Sequence, residues 1–197
     1  GDAQARKEID TEHCNLCGLC TEQCFAGALE QVGSQKTVDE IMGIVLEDQP
    51  FYDESGGGMT LSGGEPLAQP QFAFQLLKTA HEHGIHTAIE TSGFGSWQTW
   101  ENLLPYLDLI LYDLKEVTGK QHKKFIGVSN ELILDNLRQL AQTGKPIIIR
   151  RPVIPGYNDA PESIHILGQF VKQLETIHEI DLLPYHRLGQ KKYEHLG

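Results

Sequence analysis

Four cysteines, Cys14, Cys17, Cys20 and Cys24, fall within eleven positions of a 197-residue chain that has no other cysteine. No distant thiol is left to pair with them, so a disulfide framework gives way to a metal site. Unpaired thiolates of this kind belong in a reducing compartment. The spacing Cys-x2-Cys-x2-Cys-x3-Cys is that of bacterial ferredoxins. There, closely spaced thiolates wrap the irons of a 4Fe–4S cubane, and the fourth cysteine ligates a second cluster when two are present. Structural zinc is one alternative, although its ligands more often come as two Cys pairs a dozen or more residues apart. Unligated thiols are another. Phe25 stands where the ferredoxin run carries Pro.

A second set of chemistry-bearing residues is scattered: Gly63-Gly64-Glu65, Glu90, Asp113-Leu114-Lys115, Arg150 and His186. Taken singly, each has an ordinary reading. Gly-Gly-Glu-Pro is a turn, Asp113 and Lys115 are a solvated pair, and His186 is a loop histidine. The triple glycine Gly56–Gly58 also reads as a turn, with a cofactor or partner contact as the alternative. His81, His83 and His86 bracket a helix end, where histidine is favoured by the helix dipole. A metal is not needed to explain them. Gly56–Gly64 contains no Gly-Lys-Ser/Thr, and the dinucleotide-binding glycine spacing fails at Leu61, so neither phosphate-binding loop is present.

The elements that would position this second set alternate between strand and helix. Thr37 and Glu40 form a capping box for a helix to about Asp48, with Ile41 and Val45 inward. Strands are expected at Met59–Ser62, His86–Glu90, Leu109–Asp113, Pro146–Arg150 and Ile180–Leu183. Helices are expected from Pro70 to a stop at Gly84, over Trp97–Leu104 behind a Ser96 cap, and from an Asn130 cap to Gly144. The last of these turns Leu132, Ile133, Leu137, Leu140 and Ala141 inward. A final helix runs from Pro161 to about Ile177. This rhythm implies βαβ units and a parallel sheet. Right-handed crossovers bring every strand's carboxyl end to one rim, and the scattered polar residues sit at or just after those ends. The expected fold is α/β, a partial TIM-like (β/α) barrel over residues 37–197, preceded by part of a ferredoxin-like insert over 1–36.

Composition narrows the function classes. Hydrophobic residues at 40% and charged residues at 22% describe a globular protein. A net charge of −11 without a basic run argues against nucleic acid. Leu103–Leu111 is interrupted by Pro105 and Asp108, so no membrane span is expected, and Gly1–Glu8 lacks the apolar core of a secretory signal. The expected location is cytoplasmic.

Ser62-Gly63-Gly64-Glu65-Pro66 resembles the glycine-glycine-glutamate motif of radical S-adenosylmethionine (SAM) enzymes. The resemblance continues through Phe51-Tyr52 and Ser55–Leu61, Glu90-Thr91-Ser92-Gly93, Asp113-Leu114-Lys115 and Gly127–Asn130. It extends to Arg150–Gly156 and Leu182–Gly189. In this order, over nearly the whole chain, these motifs are similar to those of glycyl-radical-enzyme activating enzymes, the group that includes pyruvate formate-lyase activating enzyme. The Cys14–Cys24 run is similar to the ferredoxin-type insert of members with extra clusters. The resemblance implies an oxidoreductase using 4Fe–4S clusters and SAM. An electron from flavodoxin or ferredoxin cleaves SAM to methionine and a 5′-deoxyadenosyl radical, which removes hydrogen from a backbone glycine of a partner glycyl-radical enzyme. It places the SAM ammonium at Gly63, Gly64 and Glu65, and puts Asp113, Leu114 and Lys115 against the methionyl end or ribose. Glu90, Arg150 and His186 complete the pocket, and Cys14, Cys17, Cys20 and Cys24 hold the insert's cluster.

The chain departs from that family at the radical-cluster motif. The Cys-x3-Cys-x2-Cys that binds the radical-generating cluster is not in it. The expectation is an internal fragment lacking the first strand, the radical loop and one ferredoxin cluster, with no residue assigned a catalytic role, and inactive alone. Two readings from other classes stand beside this one: a ferredoxin-like electron-transfer module, which leaves the rim motifs idle, and a docking domain that keeps the fold without chemistry. SAM binding separates them.

Overall fold

The computed structural model describes residues 10, 13–31, 33–174 and 176–185. The chain forms two compact units, 1–37 and 38–197. In the first unit the chain turns tightly at Leu16 (φ 58°) and Gly18 (φ 79°), then forms a single helical turn, α1 (Leu19–Glu22).

The second unit is built on five parallel strands: β1 (Gly58–Leu61), β2 (His86–Thr91), β3 (Leu109–Asp113), β4 (Ile147–Val153) and β5 (Glu179–Pro184). They lie side by side in chain order. An uninterrupted order is that of a (β/α) barrel wall, since a doubly wound sheet reverses direction at a switch point. The connecting helices are α4 (Pro70–Glu82), α5 (Trp97–Leu103), α6 (Gly119–Ile126), α7 (Glu131–Ala141) and α8 (Pro161–Val171). The helices α2 (Val38–Glu47) and α3 (Gln49–Ser55) precede β1.

The strands have two unlike faces because side chains alternate. Ile89, Ile110, Tyr112 and Ile149 are completely buried, in one core with Leu77, Trp100, Leu103, Leu137 and Leu140. Each such side chain contributes about 1.5–3 kcal/mol. Glu90, Leu111, Asp113, Ile148 and Arg150 alternate with them on the more open face.

The five strands and the α4, α5, α7 and α8 starts agree with the sequence reading. Ser96 caps α5 as expected, its Oγ accepting from the Thr99 N–H at 3.2 Å. Several local expectations are corrected. Asn130 does not cap α7 with its side chain, which is spent elsewhere. Leu132 is 40% exposed, because it lies off the stripe formed by Ile133, Leu137, Leu140 and Ala141. The helix at Pro161 ends at Val171 and gives way to turns before Ile177. Strand β4 continues beyond Arg150 through Pro152. By that point β3 has ended at the Asp113–Arg150 pairing, so β4 has β5 as its neighbour there, a position where proline is tolerated. Helices α3 and α6 were not foreseen.

Candidate functional site

The four cysteines belong to the first unit. Cys14, Cys17 and Cys20 are exposed and Cys24 is half-buried; none is in a disulfide. The Cys24 Sγ accepts the Ala28 N–H at 3.2 Å, the kind of bond that stabilises a thiolate. Among the described residues, no three metal-ligating side chains are gathered around a common point. The donor set is chemically suited to an iron–sulfur cluster: four accessible soft ligands on a short, turned segment.

In the second unit, the carboxyl ends of β1, β2 and β3 open into a cavity of about 400 Å³. Its lining includes Ser62, Gly63, Gly64, Glu65, Glu90, Asp113, Leu114 and Lys115. The β1 loop can lie open there because Gly63 has φ 121°, a conformation that L side chains rarely adopt. Glu65 holds that loop in place. Its Oε1 accepts from the Leu67 N–H (3.1 Å) and Thr91 Oγ1 (2.5 Å), and its Oε2 accepts from the N–H and Oγ of Ser92 (3.0 and 2.5 Å). Four donors occupy both oxygens, so the carboxylate ties the Gly63-Gly64 turn to the end of β2.

Glu90 pairs with Arg150 through Oε1 and accepts from Ser62 Oγ through Oε2 at 2.8 Å. Glu90 and Arg150 side chains are 28% and 23% exposed, so the pair is only partly screened by water. Arg150 lies opposite Asp113 in the ladder, which places it at the rim although its own strand runs three residues further. Asp113 is the unsettled member. Its Oδ1 is buried without a hydrogen-bond partner. Burial pushes its carboxyl above the ordinary range, with Lys115 the largest opposing influence; Glu90 adds to the rise and Arg150 offsets it. A buried acceptor of this kind calls for a donor from outside the chain.

The structure therefore brings Gly63, Gly64, Glu65, Glu90, Asp113, Leu114 and Lys115 to one cavity, with Arg150 joined through its bond to Glu90. Leu114 contributes as a buried wall residue, 1% exposed. His186 lies outside the described residues.

Sequence reasoning passed over several contributors. Thr91 and Ser92, inside the Glu90-Thr91-Ser92-Gly93 motif, anchor Glu65. Asn136 donates through Nδ2 to the carbonyls of Gly93 and Gly95, both at 2.8 Å, steadying the loop that carries Ser92. Phe94, His122, Ile126 and Val128 line the apolar side of the cavity. Only the run of hydroxyl residues after Glu90 could have signalled the anchor; Phe94 comes with the loop after β2, and His122, Ile126 and Asn136 are brought near by α6 and α7.

Comparison with known proteins is consistent with this geometry. The chain matches the Radical SAM superfamily model over residues 11–166. It is 45% identical over 191 residues to the isethionate sulfite-lyase activating enzyme of Oleidesulfovibrio alaskensis, covering 95% of this chain and 61% of that protein. It is 42% identical over 213 residues to the (2S)-3-sulfopropanediol sulfolyase activating enzyme of Bilophila wadsworthia, covering 92% and 70%. A domain of a pyruvate-formate lyase-activating enzyme from Bacteroides vulgatus has a similar structure, with TM-score 0.61 and 35% identity, covering 71% of this chain and 91% of that one. The chain spans 61–62% of the length of the isethionate sulfite-lyase activating enzymes it matches.

Proposed function

Because the chain belongs to the radical SAM superfamily, and within it to the glycyl-radical-enzyme activating enzymes, we propose that its rim is the SAM-binding surface of such an activating enzyme. The whole protein would cleave SAM reductively and take a hydrogen atom from a backbone glycine of a partner glycyl-radical enzyme, with flavodoxin or ferredoxin as electron donor. Residues 1–36 would be a ferredoxin-like part, holding a 4Fe–4S cluster through Cys14, Cys17, Cys20 and Cys24. The cytoplasm is the compartment that suits its exposed thiols. Among the described residues, no helix is long and apolar enough to cross a membrane.

The observation that carries this reading is the buried, unpartnered Asp113 Oδ1 on a cavity that already holds a cation and an open glycine turn. SAM carries an ammonium, a carboxylate and ribose hydroxyls, and each finds its complement in the lining. The exposed Gly63-Gly64 backbone can meet the ammonium. Asp113 can accept from a hydroxyl or the ammonium, and Lys115 can pair with the carboxylate, offsetting the cost of desolvating each charge. Glu65, already saturated with donors, acts by fixing the turn. The Glu90–Arg150 pair presents a preset charge pattern at the rim. When bound, SAM together with a radical-generating cluster, whose Cys-x3-Cys-x2-Cys ligand set is not in this sequence, would supply the one-electron hydrogen-abstraction chemistry. The chain's own residues bind and orient SAM and exclude water from its charged end.

Equilibrium binding of SAM to the iron–sulfur-reconstituted protein tests the reading. Saturable binding, weakened about tenfold or more by Asp113→Ala, is expected from loss of a charge-assisted contact. Absence of saturable binding in the wild type refutes it.

A further inference from the structure

The backbone just beyond β3 is buried at Glu116 yet belongs to no helix or strand, so its polar groups need partners from elsewhere. The sheet ladder stops at Leu114, whose N–H donates to the Arg150 carbonyl at 2.9 Å. The next three carbonyls are taken by two asparagines distant in sequence. Asn158, in the turn after β4, donates through Nδ2 to the Lys115 carbonyl at 2.8 Å and to the Pro152 carbonyl at 2.9 Å. Its Oδ1 accepts from the Ile154 N–H at 2.7 Å. Asn130 donates through Nδ2 to the carbonyls of Glu116 and Val117, both at 2.9 Å.

Charged side chains back this arrangement. Glu116 accepts from the Thr118 N–H at 2.8 Å and from Ser163 Oγ at 3.2 Å. Arg151 Nη2 stands 3.9 Å from the Glu116 carboxylate and donates to the Asn158 carbonyl (3.2 Å) and Ser163 Oγ (2.5 Å). Glu116, Asn130, Arg151 and Asn158 are 2%, 1%, 0% and 0% exposed. Arg151 Nε and Nη1 have no partner. An ion pair this buried and this incompletely satisfied is a poor way to gain stability, since apolar residues of the same volume do as well or better. What the cluster does achieve is geometric: it pins the segment that carries Lys115 to β4 and the turn following it.

We infer that Asn158 is a positioning residue for Lys115, fixing the main chain of this rim cation so that its ammonium is held for the charged end of the ligand, with Arg151 and Glu116 fixing Asn158 in turn. The inference rests on the reading that the cavity takes SAM. Lys115 sits on the segment where hydrogen bonding passes from the sheet ladder to side chains, and its location is set by a side chain 43 residues away. Losing that bond leaves the cation present but displaced.

The test is a double-mutant cycle on SAM affinity in the reconstituted protein, with far-UV circular dichroism and Tm recorded for every variant. Lys115→Ala is expected to weaken SAM binding about tenfold and Asn158→Ala about fivefold, since each removes or misplaces one charge-assisted contact. In the Lys115→Ala background, Asn158→Ala should change affinity by less than about twofold, because a displaced ammonium that is already absent cannot be lost again. A merely structural asparagine would weaken binding equally in both backgrounds, and that result overturns the inference while leaving SAM binding intact. Wild-type protein that fails to bind SAM overturns the underlying reading and the inference with it. Should Asn158→Ala not accumulate as folded protein, Ser163→Ala takes its place. It removes one oxygen between Arg151 and Glu116 and leaves the Asn158 side-chain bonds in place. A smaller loss, again confined to the background that retains Lys115, supports the inference; equal losses in both backgrounds overturn it.

Discussion

Replacing Gly93 by alanine isolates how tightly the rim loop is seated on the core. Gly93 has φ 78°, and a Cβ there would lie 1.8 Å from Tyr112 Oη and 2.1 Å from its Cζ. Tyr112 has little room to yield: it is completely buried, stacks on Trp100 with ring centroids 6.3 Å apart, and donates from Oη to the Ile133 carbonyl at 2.7 Å. Left-handed strain on alanine costs about 1 kcal/mol. Overpacking against a rigid ring adds about 1–3 kcal/mol, and loss of the Tyr112 bond adds about 1 kcal/mol. Together these give about 3–5 kcal/mol. Gly144 is the matched control, with φ 73° and nothing within 4 Å of an added Cβ. Gly144→Ala should therefore cost only the strain, about 1 kcal/mol. For a domain of this size the two variants should lower Tm by about 10 °C and about 3 °C respectively. The assay is urea and thermal unfolding followed by far-UV circular dichroism, with tryptophan fluorescence reporting on the Trp100–Tyr112 stack. The Gly93 loop also carries Ser92, which holds Glu65, so SAM affinity should fall for Gly93→Ala and not for Gly144→Ala. Equal destabilisation by the two substitutions would refute the close-approach reasoning.

Three other outcomes are expected. The Asp113 carboxyl is raised by burial in the folded protein, so its ionisation opposes folding as pH rises above the ordinary carboxylate range. Asp113→Asn should consequently raise Tm near neutral pH, with the gain shrinking as pH falls into that range, while SAM binding weakens; a pH-independent Tm difference contradicts this. Removing either member of the half-buried Glu90–Arg150 pair should cost about 1–3 kcal/mol, and a Glu90→Gln, Arg150→Met double variant should cost less than the sum of the singles, as measured by urea unfolding. The exposed Cys14, Cys17 and Cys20 thiols should alkylate faster than Cys24 in metal-free protein. Anaerobic reconstitution with iron and sulfide should protect all four, and Cys17→Ser should lose most of the bound iron; retention of one zinc per chain instead would favour the alternative site.

The sequence by itself determined the strands, because short apolar runs bounded by glycine and proline have few other uses. It therefore also determined that Glu65, Glu90, Asp113 and Lys115 would share a rim, since parallel connections leave no other arrangement for residues at strand ends. It also put the four cysteines on one short segment, because they fall within eleven positions of the chain. Tertiary structure decided what those residues do once there. Helix α6, Gly-Lys-Gln-His-Lys-Lys-Phe-Ile, has no clear apolar stripe in the sequence. One buried side chain in it, His122, meets the Val128 carbonyl at 2.9 Å. Asn130 looked like a helix cap and is instead a buried donor to two carbonyls before α6, because satisfying an irregular buried segment outweighs one exposed cap. Glu65 reads as a ligand contact and, in the folded chain, its oxygens also accept from four internal donors, while Asp113, indistinguishable from it by residue type, is left with an unpartnered oxygen. Periodicity records which face of an element is apolar. It carries no information on which of two carboxylates finds its hydrogen-bond donors within the chain, because those donors come from strands and loops that only folding brings together.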